Sequence, residues 1–202
     1  MELYFFALPQ QSKFKGLEHL RVHAPAGEEV VTGLGLGLTS QIEEAALAIT
    51  ETLTDDHRAY LLQGGRVLWL AEHADALQTN LPGLKISPRQ GHVWQGDWAS
   101  SFMWLCQDEM FTGLPVDGVV DFAFADLTPE HVITGLAPRE FALAVHAGLF
   151  VGWLHRAVAL IAERQLGAGR LLISTFRLRE HLQTHPVAAW MFRDLLKHII
   201  KS

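Results

Sequence analysis

The 202-residue sequence lacks the features that several protein classes require. Its single cysteine, Cys106, excludes an internal disulfide and favours a reducing compartment. No apolar run is long enough to span a bilayer, and the apolar start of the chain has neither a basic flank nor a cleavage site of small residues. We therefore expect a cytoplasmic protein with no membrane partner.

Charge of either sign is also scarce. Charged residues make up 19% of the chain and hydrophobic residues 49%, with a formal net charge of -6. This balance is typical of a globular protein, and no basic patch is present that could neutralise a row of phosphates. We expect no nucleic-acid partner, and the length fits one domain over residues 1–202, within which residues 1–27 are poorly defined by the pattern.

The sequence does contain a regular series of apolar runs and helix signals. Near-continuous apolar strands joined through a helix are typical of a parallel sheet covered on both faces, and Gly167-Ala168-Gly169 predicts a tight hairpin. The predicted fold class is therefore α/β, a mostly parallel, flavodoxin-like sheet with helices on both faces and an antiparallel hairpin near the C-terminus. Strands are predicted at 46–50, 66–70, 119–124, 131–133, 149–154, 158–162 and 170–176, and helices at 55–63 and 186–200.

Residues 80–114 change character, because prolines and glycines are scattered there among tryptophans. We interpret this segment as a structured, aromatic-rich insertion. Flat aromatic faces beside carboxylates suit sugar rings, which present apolar C–H faces and hydroxyl edges. The alternative is that the rings pack a small core beneath the insertion. The candidate carbohydrate-binding residues are Trp94, Asp97, Trp98, Trp104 and, from the sheet core, Trp153.

The turn after the strand at 66–70 is the first place to look for chemistry, because ligands of such sheets bind beyond the carboxyl ends of the strands. Glu72 and His73 lie there, close to Asp75. These residues can form an acid and base pair or part of a metal site, or they can be a solvated loop. A nucleophile on a glycine-flanked turn is missing, so no catalytic residue is assigned beyond the candidates Glu72 and His73.

Cofactor and metal signals are weak. Gly33, Gly35 and Gly37 do not meet the dinucleotide-binding fingerprint, which needs a third glycine where this chain has Leu38. The histidine pairs 19/23 and 181/185 lack a recognisable third ligand. We therefore expect no cofactor and no metal.

Five strings of the sequence stand in an order that resembles a known family. Together they look like the C-terminal region of large bacterial glycoside hydrolases of family two, related to β-galactosidases. That region resembles the class I glutamine amidotransferase fold, a flavodoxin-like sheet that trehalose-utilisation proteins also use. The resemblance covers about residues 45–200, and its strings are Leu62–Ala71, Gly96–Leu105, Asp121–Ile133, Gly148–Trp153 and Gly167–Leu178.

The resemblance implies a function without catalysis. Amidotransferases of this class carry a cysteine nucleophile on the turn where this sequence has Glu72 and His73. We therefore expect an accessory domain that acts with other domains or copies of a glycoside hydrolase, in assembly or in carbohydrate binding. One alternative is a small stand-alone hydrolase or sugar-processing enzyme that uses Glu72, His73, Asp97 or His131, and another is an oligomerisation module that forms a homo-oligomer.

Overall fold

The computed structural model of the chain describes residues 16–17, 19–25, 31, 34–78, 81–95, 101–106, 110–111, 114 and 118–201. Within them, no helix combines the length and apolar character needed to cross a membrane. The helices are α1 (Asp55–Leu62), α2 (Pro138–Ala144) and α3 (Pro186–Lys201). The strands are β1 (Arg21–His23), β2 (Gly37–Leu38), β3 (Leu47–Thr50), β4 (Arg66–Leu70), β5 (Lys85–Pro88), β6 (Phe102–Leu105), β7 (His131–Thr134), β8 (Val145–Val151), β9 (Arg156–Leu166) and β10 (Gly169–Ser174).

All ten of these strands join one sheet, in the order β2-β1-β3-β4-β10-β9-β7-β5, and β8 pairs with both β9 and β6. The pairs from β2 to β10 are parallel, whereas every pair on the other side of β10 is antiparallel. The predicted α/β class is confirmed, but the sheet is mixed and not mostly parallel. The reason is that the connections between β8, β9 and β10 are too short for a parallel crossover.

The unit β3-α1-β4 has the predicted form. Thr54 caps α1, where its hydroxyl oxygen accepts from His57 N at 3.5 Å and its own backbone N–H donates to His57 Nδ1 at 3.3 Å. Two aspartates in the first turn favour the positive end of the helix dipole. β3 and β4 are parallel, with Ile49 opposite Leu68.

The alternation of side chains along the central strands separates two apolar clusters, one on each face of the sheet. Leu68, Leu70 and Leu172 pack with the apolar side of α3, while Val67, Trp69 and Ile173 pack on the opposite face with Leu61 of α1. Phe141 of α2 is partly buried against the second cluster. Helices therefore cover both faces, as predicted.

Two predicted strands differ from the structure. Residues 119–124 do not form a strand, because Val119 makes only an isolated bridge with Trp104 and a 3-10 helix begins at Phe122. Asp121 caps that helix, and its Oδ1 accepts from Ala123 N at 2.9 Å. The strand predicted at 149–154 lies earlier, as β8, and the chain then reverses through a 3-10 turn that ends at His155 with a φ of 52°.

The predicted hairpin joins β9 to β10, and its two glycines are needed for different reasons. Gly167 has a φ of +62°, which side chains rarely adopt. Gly169 is buried where the backbone passes close to α1, so a Cβ there would overlap the carbonyl oxygens of Leu61 and Gly65. The hairpin therefore sets how closely the end of α1 approaches β10.

We expect Gly169→Ala to lower the free energy of unfolding by about 1–3 kcal/mol, because neither carbonyl can move without shifting α1 or β4. Urea unfolding measures this change. Ala168→Ser, at the exposed neighbouring position, is the matched control and should change stability little. Equal stability of the two variants would contradict the close approach.

Candidate functional site

Polar side chains gather where β3, β4 and β10 end. This carboxyl-edge cluster consists of Glu51, Glu72, His73, His131 and Arg179. Glu51 follows β3, the pair 72–73 follows β4, and Arg179 lies on the connection from β10 to α3. The sequence-predicted residues Glu72 and His73 thus lie beyond the carboxyl end of a central strand, where ligands of such sheets bind.

Glu51 contacts two basic side chains in the carboxyl-edge cluster. Its Oε2 lies 3.2 Å from His73 Nε2, and its Oε1 pairs with Arg179 Nη1. The buried indole of Trp69 donates from Nε1 to the Glu51 carbonyl at 2.9 Å, which ties this residue to β4. Glu51 therefore connects the ends of β3 and β4 to the segment that leads into α3.

Glu72 is the most deeply buried carboxyl group at this edge, with 7% of the residue exposed. Its two oxygens accept from Arg179 N at 3.2 and 3.3 Å. Burial raises the pKa of Glu72 to about 7, against the backbone N–H groups of Arg179 and Leu178, which lower it, while the charge of Glu51 adds to the rise. Near neutral pH this carboxyl can therefore hold or release a proton.

His131 opens β7 and is buried beside Glu72. Burial lowers its pKa, although the charge of Glu130 and a hydrogen bond with the Glu72 backbone oppose the shift. Its Nδ1 is buried and has no hydrogen-bond partner among the described residues. The structure thus brings the sequence candidates Glu72, His73 and His131 together.

The hydroxyl groups at this edge are engaged by the backbone. Ser174 is fully buried and its Oγ accepts from Phe176 N at 3.3 Å, while Thr175 Oγ1 donates to Leu160 O at 3.0 Å. The one cysteine is elsewhere, after β6, where Cys106 Sγ donates to Val145 O at 3.6 Å. In the part of the chain that the structure describes, this edge offers an acid but no activated nucleophile.

Three aromatic residues follow the pairing of β6 with β8 to its end. Phe102 of β6 is directly opposite Phe150 of β8, with ring centroids 5.5 Å apart, and Trp153 follows on the 3-10 turn. Gly152 N donates to Ser101 Oγ at 3.4 Å, which holds this turn against the start of β6. Trp153 is 56% exposed and Phe102 48% exposed. We call Phe102, Phe150 and Trp153 the aromatic surface.

The other tryptophans predicted to bind carbohydrate have different surroundings. Trp94 is half-buried and lines a cavity of about 140 Å³ with Phe141. Trp104 packs edge-on against Phe141 at 6.4 Å and covers Gly148, where a side chain would overlap its ring. Trp104 is half-buried and packs against the sheet, and carbohydrate binding by Trp94 and Trp104 stays a prediction. The remaining candidates, Asp97 and Trp98, lie outside the described residues.

A second polar group, the Glu163 cluster, lies at the other end of the β9–β10 pair. It consists of Glu163, Arg170, His146 and His198. Arg170 donates to Glu163 Oε1 from Nε at 2.8 Å and from Nη2. His198 Nε2 lies 2.7 Å from Glu163 Oε2, and His146 Nε2 lies 3.7 Å from the same oxygen. Burial by itself would raise the pKa of Glu163, but the polar contacts of His146, His198 and Arg170, together with the charge of Arg170, outweigh it and hold that pKa well below its ordinary value.

The sequence analysis missed the Glu163 cluster. A faint signal exists, because His146 interrupts an apolar run and Glu163 directly follows one. A polar residue on a face that is otherwise apolar needs a hydrogen-bonding or charged partner. The partner His198 lies 35 residues further along the chain, so spacing alone could not indicate it.

We expect stability to depend on pH through Glu72. The folded protein keeps this carboxyl protonated up to about pH 7, whereas the unfolded chain ionises near the ordinary value of 4.5. Stability from this group is complete below pH 4.5 and falls as the pH rises to about 7, by about 3 kcal/mol at most. Glu72→Gln cannot ionise, so its free energy of unfolding should rise relative to wild type across this interval.

Urea unfolding at a series of pH values measures that difference. Glu43→Gln removes an exposed carboxylate outside the carboxyl-edge cluster and is the matched control, for which the difference should stay nearly constant. A constant difference for Glu72→Gln as well would show that Glu72 titrates alike in the folded and unfolded states, so that its pKa is not raised.

Two solved structures are similar to the chain over part of their length. A β-galactosidase from Rahnella sp. R3 is 13% identical and covers 81% of this chain and 24% of its own, with a TM-score of 0.42. A β-galactosidase from Bacillus circulans sp. alkalophilus is 11% identical and covers 91% of this chain and 30% of its own, with a TM-score of 0.46. The chain thus spans less than a third of either enzyme.

The search of curated proteins returned no match. A family model described as a domain of unknown function (DUF8487) matches residues 48–202, which include β4 to β10 and all three helices. The chain therefore belongs to the DUF8487 family.

Proposed function

We propose that the chain is a non-catalytic accessory domain of a glycoside hydrolase, with an amidotransferase-like sheet, and that its aromatic surface binds carbohydrate. The observation that carries the proposal is the exposed indole of Trp153 on the turn that follows β8, the strand on which Phe150 pairs with Phe102. The resemblance of residues 45–200 to the C-terminal region of family-two glycoside hydrolases supports the choice of ligand.

The chemistry around Trp153 suits a sugar ring. An indole face offers apolar contact to the C–H face of a pyranose, while the hydroxyl groups need hydrogen-bond donors and acceptors at the edge. His155 and Arg156 are both exposed and follow Trp153 directly. The left-handed backbone at His155 turns the chain here, and Arg156 begins β9. Two polar side chains therefore follow Trp153 directly at this turn.

The carboxyl-edge cluster supports a role without catalysis. Its carboxylates are engaged in structure, Glu51 by Arg179 and His73, and Glu72 by the backbone of Arg179. These contacts join the ends of β3 and β4 to the segment before α3. Catalysis through a covalent intermediate would require a nucleophile, which this edge lacks in the described residues.

A second candidate function is assembly with another domain or copy of a glycoside hydrolase. Phe122 favours it, because this side chain is 97% exposed at the start of a 3-10 helix, and Val119 nearby in the chain is half-exposed. Exposed apolar side chains in one region are typical of a protein interface. The two candidates differ in ligand, so the same experiment separates them.

We expect isothermal titration of the chain with a panel of mono- and oligosaccharides to show saturable binding. Trp153→Ala should weaken that binding about tenfold, because it removes the aromatic platform. Chromogenic glycosides in the same samples should show no turnover.

Leu62→Ala is the matched control, since Leu62 is exposed but lies at the end of α1, and its binding should equal that of wild type. Turnover of a glycoside would favour the enzyme alternative. If no sugar binds, and if the chain self-associates in sedimentation and Phe122→Ser abolishes this association, the assembly function is favoured.

A further inference from the structure

Two histidines in the Glu163 cluster direct the same ring nitrogen at one carboxylate oxygen. The donor atoms of His146, Glu163 and His198 all lie within 4.8 Å of one another. The three residues come from β8, β9 and α3, and their side chains are only 15–20% exposed. A partly buried set of two imidazoles and one carboxylate is a donor set that zinc and related divalent metals use.

From this convergence we infer that His146, Glu163 and His198 form a binding site for a divalent transition-metal cation of the zinc class. Nothing in the proposed carbohydrate function requires this site, because none of its residues belongs to the aromatic surface. The two proposals can therefore fail separately.

The distances leave room for an ion after a small adjustment. Donors around a tetrahedral ion lie roughly 3.4 Å apart when each bond is about 2.1 Å long. The His146 Nε2 to Glu163 Oε2 distance of 3.7 Å is already close to that value, whereas the His198 Nε2 to Oε2 distance of 2.7 Å is that of a hydrogen bond. The ion would displace the proton of this hydrogen bond, as metal binding to imidazole requires.

His146 supplies a second indication of a ligand. Its Nε2 is buried and makes no hydrogen bond within the described residues, although it is directed at a carboxylate. A buried imidazole nitrogen without a hydrogen bond has lost its hydrogen bond to water and has not formed one within the protein, which costs free energy. A metal ion between His146 and Glu163 would satisfy it.

Arg170 fits this arrangement as a positioning residue. Both of its donating nitrogens contact Glu163 Oε1, so Oε2 is left to the two histidines. Ligating carboxylates are commonly held in this way by a hydrogen-bond donor on the other oxygen. The guanidinium also keeps the carboxyl ionised, although its own charge weakens the attraction for a cation.

A cavity of about 300 Å³ lies directly beside the two histidines and can provide the fourth ligand position. It is lined by His146, His198, Cys106, Met110 and Leu143, among others. Zinc sites with three protein ligands keep one position for water or a small ligand, and this cavity offers space for either. The inferred site is therefore of the open type.

The test is isothermal titration of the chelator-stripped full chain with zinc chloride, repeated with cobalt chloride while the visible absorption of the cobalt complex is followed. We expect one zinc ion per chain. His146→Gln and His198→Gln should each weaken binding at least tenfold and diminish the cobalt absorption, because each removes one of three ligands. Circular dichroism checks that the variants are folded, and the Nε2 that His146→Gln removes makes no hydrogen bond within the described residues.

The matched control is the double variant His181→Gln/His185→Gln. These two histidines also lie close together, with ring centroids 6.2 Å apart, but no carboxylate joins them in a candidate metal site of the described residues. Zinc binding should be unchanged in this variant. Absence of stoichiometric zinc binding to the wild-type chain, or binding that survives in both single variants or is lost in the control, would overturn the inference.

Discussion

The structure depends on the two different pairings of β10. One edge of this strand pairs in parallel with β4 and the other pairs antiparallel with β9, so β10 is where the parallel and antiparallel halves of the sheet meet. The strand is buried along most of its length, and the close approach at Gly169 fixes its start against α1. The carboxyl-edge cluster lies beyond the C-terminal end of this strand, and the Glu163 cluster lies near its N-terminal end.

The two ends of β10 provide two buried glutamates with opposite pKa shifts. Burial acts to raise the pKa of both carboxyl groups, so the direction of each net shift depends on the groups around the carboxyl. Glu72 accepts from backbone N–H groups and has Glu51 nearby, and burial prevails. Glu163 faces Arg170 and two histidines, which together outweigh burial. The first carboxyl is suited to hold a proton near neutral pH, and the second is suited to hold a cation.

The antiparallel half of the sheet determines the surface of the protein as well as its core. β8 pairs with β9 through a register irregularity and carries β6 on its other edge. Gly148 of β8 leaves room for the ring of Trp104, which is half-buried and packs against the second apolar cluster. Phe102 and Phe150 continue the same strand pair to its end, where Trp153 is left exposed. The β6–β8 pair thus holds the half-buried Trp104 within its length, while the exposed Trp153 follows its end.

Local signals were sufficient for the α/β class, the capped helix α1 between β3 and β4, the β9–β10 hairpin and the closing helix α3. Each depends on residues that are neighbours in the chain: an N-cap, a glycine turn or a helical apolar face. The same signals placed Glu72 and His73 at a strand end. The mixed sheet needed the tertiary structure, because strand order depends on which distant strands pair. The Glu163 cluster needed it too, because His198, 35 residues away, meets Glu163 only when α3 packs on the sheet.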